Sequence, residues 1–156
     1  MITTPQLMQK YGTPNETGVN YLVTIPLPYP MRLSWDKSKI ITRLRCHKLV
    51  ANQLSAIFKD ILDFYGLEHI QRLGIDLYGG CFNFRKMRGG SDWSRHSWGV
   101  AIDLDPERNQ LKQTSKNANF AKMDYKPMID IFYKHGFVSL GREKNYDWMH
   151  VQAARL

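Results

Sequence analysis

Between Ser94 and Asp103 the chain reads Ser-Arg-His-Ser-Trp-Gly-Val-Ala-Ile-Asp. No other stretch constrains the fold as strongly. Val100, Ile102 and Leu104 alternate with Ala101, Asp103 and Asp105, which is the period of a β-strand. Asp103 then points away from the apolar face formed by Val100, Ile102 and Leu104. Ala101 shares the face of Asp103, and its small side chain leaves room there for a metal ion. Gly99 suits a turn or a close backbone approach just before the strand. His96 comes from the loop that leads into it. Any fold for this chain must bury one face of the strand and present a carboxylate on the other.

A second segment, Asp147-Trp148-Met149-His150, supplies another histidine and another carboxylate. Two histidines and one carboxylate are a common ligand set for catalytic zinc, which keeps a fourth position open for water. The expected ligands are His96, Asp103 and His150. Asp147 is then left over as a base for that water. In a regular strand Trp148, His150 and Gln152 share one face while Asp147, Met149 and Val151 share the other. Asp147 and His150 can serve one site only if Asp147 lies in the turn before the strand. The polar run from Arg142 to Asn145 makes room for such a turn. Either histidine alone reads as an ordinary core or surface residue, and it is the spacing that singles them out.

These segments resemble a family of zinc peptidases. It includes D-alanyl-D-alanine carboxypeptidases, vancomycin-resistance D,D-dipeptidases and phage L-alanyl-D-glutamate endolysins, and it shares its fold with the Hedgehog signalling domain. The family pattern is Ser-x-His, two residues, Gly-x-Ala-x-Asp, and later an acid, two residues and His. Ser94, His96, Gly99, Ala101 and Asp103 carry the first part here, and Asp147 and His150 the second. The resemblance covers about residues 75 to 152. It implies zinc on His96, Asp103 and His150, with Asp147 as base. It also implies an upstream arginine that steadies the substrate carbonyl and oxyanion. Arg85, in Gly79-Gly80-Cys81-Phe82-Asn83-Phe84-Arg85, matches best, and Arg88 is its rival. Ser94, Arg88 and Trp98 are the expected substrate contacts. The acid is aspartate, as in endolysin-type members, where many others use glutamate.

At 156 residues the chain suits one domain with a proper core. The expectation is an α+β fold in which a small antiparallel sheet packs on a long core helix, Hedgehog/DD-peptidase-like. Residues 1–35 form an N-terminal arm and 36–156 the core of a single zinc peptidase domain. No apolar run reaches the roughly 18 residues needed to span a membrane. The start of the chain shows no charged region followed by an apolar stretch. Synthesis in the cytoplasm without a signal peptide is therefore expected, with action on the cell wall after holin-type release. Two cysteines, Cys46 and Cys81, make no disulfide framework. Cys81 reads as a small buried residue, with no local histidine to activate it.

The formal net charge is +8, which attracts polyanions. Envelope phosphates, peptidoglycan carboxylates and nucleic acid all qualify, as does a merely soluble basic surface. No nucleic-acid-binding signature accompanies the scattered cations. The expected partner is the peptidoglycan stem peptide, with no specific nucleic acid, no membrane span and a monomeric chain.

Elsewhere, Thr4 caps a short helix with Pro5 in its first turn and Gly12 as its stop. Asn20 to Ile25 could form an edge strand, after which Pro26, Pro28 and Pro30 forbid regular structure. Leu27 to Trp35 then reads as an extended arm. A helical stripe of Ile40, Leu44, Ala51, Leu54, Phe58, Ile61 and Tyr65 predicts a long helix over 37–65, or one beginning as late as His47. His47 reads as a hydrogen-bonded residue at the core edge. Ile75 to Tyr78 is a strand, followed by a polar, basic loop through Trp93 beside the site. Asp105 to Asn109 is a turn without the pattern of a calcium loop. Gln110 to Lys122 is a surface excursion that could border the cleft. Pro127 to His135 is a helix, Phe137 to Leu140 a strand, Gly141 to Tyr146 a loop, and Trp148 to Gln152 the last strand.

The combined expectation is a zinc peptidase cutting an amide bond of the stem peptide, by preference between L-alanine and D-glutamate. The alternatives are a D-alanyl-D-alanine carboxypeptidase, a non-catalytic zinc-holding module and a basic nucleic-acid-binding protein.

Overall fold

Strand β1 (Leu22–Leu33) and strand β2 (Asp36–His47) form a long antiparallel hairpin at one edge of the sheet. The computed structural model describes residues 2–154 and places these strands where an arm and the first part of a helix are expected from sequence. The prolines explain how the arm becomes a strand. Pro26 pairs with Arg43 and Met31 with Ile41, so residues 27–30 of β1 bulge out opposite Thr42 alone. Pro28 and Pro30 fall in this bulge, where the missing N–H groups break no ladder bond. All three prolines are exposed, while Ile25, Tyr29 and Met31 point inward.

Residues 36–47 form a strand because their real period is two: Leu44 and Cys46 are buried while Arg43 and Arg45 are exposed. Ile40, counted in the helical stripe, is 62% exposed on this edge strand. The helix itself, α2, spans Ala51–Tyr65. Gly66 ends it, and its N–H donates to Leu62 O. A short helix, α1 (Thr4–Tyr11), precedes the hairpin. Its cap is Thr3, not Thr4, because Thr3 and Gln6 form a reciprocal capping box.

Helix α3 (Leu67–Leu73) leads to β3 (Leu77–Gly80), which pairs parallel to β1 through Arg32–Leu77 and Leu33–Tyr78. The sheet is therefore mixed, and the expectation of an antiparallel sheet is corrected at this one junction. Strand β4 (Ala101–Leu104) follows, then α4 (Lys126–Lys134), β5 (Phe137–Ser139), α5 (Leu140–Lys144) and β6 (His150–Ala153). The short helix α5 takes up much of the segment 141–146, where a loop is expected from sequence. The strand order is β2-β1-β3-β4-β6-β5.

One face of the sheet is covered by α2 and α4. Leu54, Ile57, Phe58 and Ile61 of α2 join Ile25, Tyr29, Met31, Ile102 and Leu104 in a single core. Phe58 links its parts, meeting Tyr29 edge-on at 6.1 Å and Phe132 at 6.5 Å. Truncating such a ring to alanine typically costs about 3–5 kcal/mol. Helix α1 adds Leu7 and Tyr11 to this core. The other face of β4 and β6 is left open, and the chemistry-bearing residues lie there. No helix is long and apolar enough to cross a membrane among the described residues.

Candidate metal centre

The alternation in β4 has the predicted consequence. Ile102 and Leu104 enter the core, and Asp103 points to the open face. The register with β6 pairs Ala101 with Gln152, Ile102 with Val151 and Asp103 with His150. A small residue thus stands opposite Gln152, and the carboxylate stands opposite a histidine. His96 arrives from a single 3-10 turn, Arg95–Trp98, just before β4. Ser94 caps that turn, its Oγ accepting from His96 N at 3.3 Å. Gly99 closes it in the left-handed region at φ 70°, and its carbonyl accepts from His47 N at 2.9 Å.

Three ligand atoms, one each from His96, Asp103 and His150, lie within 4.8 Å of one another. His96 Nε2 is 3.2 Å from Asp103 Oδ2, and His150 Nδ1 is 3.3 Å from Asp103 Oδ1. The two imidazole rings are near perpendicular, at 88° with centroids 5.0 Å apart. The remaining ring nitrogens are already engaged. His96 Nδ1 is 2.8 Å from Cys81 O, and a carbonyl can only accept, so Nδ1 carries the proton and Nε2 a lone pair. His150 Nε2 is 2.9 Å from Gln152 Oε1, which leaves Nδ1 facing Asp103. Such outer partners fix the tautomer and aim of metal-binding histidines.

The buried polar atoms fit a cation. His96 Nε2 and Asp103 Oδ1 are both buried with no hydrogen-bond partner. Unpaired buried groups are costly, and a metal ion would satisfy both at once. Burial works against the charge of Asp103, yet His96 and His150 outweigh it and hold its carboxyl well below the usual carboxylate range. Burial likewise opposes charge on His150, but Asp103 and then Asp147 raise its pKa above the ordinary value. The pocket thus favours positive charge at this point, and a metal would replace the proton there.

Asp147 sits beside the cluster but outside it, its Oδ2 3.9 Å from His150 Nδ1. Its backbone is left-handed at φ 52°, in the turn before β6, where the parity argument requires it. The turn is pinned on both sides, Asp147 N donating to Leu111 O at 2.9 Å and His150 N to Asp147 O at 3.0 Å. Burial raises the pKa of Asp147, with His150 opposing and Asp103 reinforcing the shift.

A cleft of about 750 Å³ opens over these residues. Arg85, Arg88 and Ser94 line it, as sequence reading expects. Arg85 is the nearer in effect to the base, since its charge lowers the pKa of Asp147. Its backbone is held by Ser97, whose Oγ accepts from Arg85 N at 3.0 Å and donates to Arg85 O at 2.8 Å. Trp98 is a correction. It is fully buried, its indole N–H donates to Gly12 O at 2.7 Å, and it anchors the turn instead of touching a ligand. His47 is the hydrogen-bonded residue expected, with Nε2 3.1 Å from Tyr11 O and Nδ1 accepting from Leu49 N.

Sequence reading misses two contributors. Gln152 shares a strand face with His150 and is two residues on, so the same alternation could have found it. The Cys81 carbonyl leaves no mark in any side chain. Leu111 and Lys112 border the cleft, as the expected excursion over 110–122 allows, and α5 adds Leu140 and Lys144.

Residues 88–153 match a protein-family model described as D-alanyl-D-alanine carboxypeptidase. The match contains His96, Asp103, Asp147 and His150, and begins after Arg85. No curated protein matches the chain.

Proposed function

We propose that this chain is a zinc-dependent peptidase that hydrolyses an amide bond in the peptidoglycan stem peptide. The observation that carries the reading is the pair of unpartnered buried atoms, His96 Nε2 and Asp103 Oδ1, beside the carboxylate of Asp147, which lies outside the three-residue cluster. The family match over residues 88–153 supports the peptidase class and its wall substrate. On this reading the fold is that of the D,D-peptidases and the Hedgehog domain.

His96 through Nε2, His150 through Nδ1 and Asp103 would hold the metal. Zinc so bound supplies Lewis acidity, polarising a carbonyl and lowering the pKa of a water towards about 7. Asp147 takes the proton from the attacking water and passes it to the departing amine nitrogen. Arg85 sets a positive charge against the oxyanion as it develops. The pinned turn at Asp147 keeps the base in place.

The cognate bond we assign is L-alanyl-D-glutamate, on the strength of an aspartate base at position 147. A second reading, release of terminal D-alanine, is favoured by the description of the matching family. The chain would act on the wall after release through a permeabilised membrane.

The test is digestion of purified peptidoglycan with and without a chelator, followed by mass spectrometry. A new D-glutamate N-terminus, lost with chelator and restored by zinc, is expected. Release of D-alanine alone would move the chain to the carboxypeptidase reading. No metal-dependent product would overturn both.

A further inference from the structure

The cleft is strongly asymmetric in charge. Among the described residues its only lining carboxylates are Asp103 and Asp147, both engaged in the centre, whereas Arg85, Arg88, Arg95, Lys112 and Lys144 all border it. These cations arrive from two sides. The arginines belong to the loop after β3, and the lysines come from the 111–112 segment and from α5, on the β5 side of the β4–β6 pair. Arg95 is occupied, donating to Ile2 O at 2.8 Å and reaching Thr4 Oγ1 at 3.4 Å.

Lys112 and Lys144 make no ion pair among the described residues. The acids near α5 are taken by other groups: Glu143 accepts from Tyr133 Oη at 3.1 Å, and Asp130 pairs with Lys126 and Arg142. The two lysines also sit on a braced surface. Asp147 N donates to Leu111 O at 2.9 Å, and Ser115 N to Asn145 Oδ1 at 2.7 Å, so the segments carrying them are tied to each other and to the base. Both lysines are exposed on the same cleft wall, neither is paired with a described acid, and together they attract an anion to that side.

We infer that Lys112 and Lys144 form a carboxylate subsite, which grips an acidic group of the substrate peptide on the α5 side of the metal centre. The inference rests on the peptidase reading above and narrows it to peptides that carry a free carboxylate next to the scissile region. It separates recognition from the arginine wall, where Arg85 serves the reacting carbonyl.

The test measures binding, so that it is independent of turnover. The zinc-loaded Asp147→Asn variant is titrated calorimetrically with L-alanyl-D-γ-glutamyl-L-lysyl-D-alanyl-D-alanine. The same peptide with both free carboxylates converted to amides is the comparison. Adding Lys112→Gln and Lys144→Gln is expected to weaken binding of the acid peptide about tenfold, as for loss of a charge-assisted contact. Binding of the amidated peptide should not change, and the difference should shrink at high salt. One zinc per chain in each variant shows that the centre is intact. Equal affinities with and without the lysines, equal losses on both peptides, or no binding of the acid peptide would each overturn the subsite. If the lysine effect appears but the wild-type protein cuts no peptidoglycan, the subsite stands and the proposed reaction falls. If the wild-type protein cuts peptidoglycan but the lysine effect is absent, the reaction stands and the subsite falls.

Discussion

Asp103 and His150 face each other directly across β4 and β6, with Oδ1 3.3 Å from Nδ1. A one-residue slip in that register would turn one of them into the core, so the strand pairing itself sets the geometry of this pair. Replacing Asp103 with Asn removes the negative charge that holds two imidazoles together. Metal affinity is expected to fall by more than the roughly 10–100-fold typical of losing an outer partner. Competition with a chromogenic chelator measures this, and near-normal affinity would remove Asp103 from the ligand set.

Gln152 supplies the outer partner of His150 at 2.9 Å. Gln152→Leu frees His150 Nε2 and lets the ring turn. Metal binding should weaken about 10–100-fold, while Gln152→Glu, which keeps an acceptor oxygen, should recover most of it. Dialysis against graded zinc, with metal quantified per chain, distinguishes the two variants.

On the peptidase reading Asp147, which lies outside the His96–Asp103–His150 cluster, moves the proton and does not hold the metal. Asp147→Asn should keep one zinc per chain and lose about 10²–10⁴ in kcat. A variant that lost its metal as well would show that Asp147 is a ligand.

Much of this centre was legible in the sequence, because it depends on two short-range regularities. The period of two fixed the face of Asp103, and the parity conflict between Asp147 and His150 required the turn that the left-handed backbone at φ 52° provides. The hairpin was not legible. Ile40 and Leu44 fall four residues apart and continue the stripe of α2 backwards, so two different periods overlap in 40–47. The β-branched run Ile40-Ile41-Thr42 and the alternation Arg43-Leu44-Arg45-Cys46 were the strand signals beneath it. Pro28 and Pro30 misled for a different reason. A proline forbids a ladder bond only where there is a ladder, and the bulge at 27–30 has none.

Gly99 shows how tightly the turn before β4 is built. An added Cβ would lie 2.8 Å from Leu22 Cδ2 and 3.0 Å from His47 N, at a φ of 70°. Gly99→Ala is expected to cost about 1–3 kcal/mol from backbone strain alone. Urea unfolding at neutral pH measures it, and an unchanged midpoint would show that the turn relaxes freely.

His47 makes stability depend on pH. Burial lowers its pKa below 6.5, with the Tyr11 carbonyl opposing the shift and Lys48 adding to it. The unfolded chain therefore takes up this proton more readily than the folded one. The contribution of neutral His47 is full above 6.5 and is lost as pH falls towards and below the depressed folded value. The wild-type melting temperature should drop further between about pH 7.5 and about pH 5 than that of His47→Gln. Equal drops in the two proteins would assign the acid sensitivity elsewhere.

The centre draws only on nitrogen and oxygen donors. Both thiols are buried, with Cys46 pushed up to about 12 by desolvation and Cys81 also raised. Cys81 lends the site its carbonyl and turns its sulfur towards Gly99 O at 3.7 Å. Oxidants attack thiolates, and this chain exposes none. The donor atoms of the candidate centre therefore include no sulfur that a change of redox poise could oxidise or reduce.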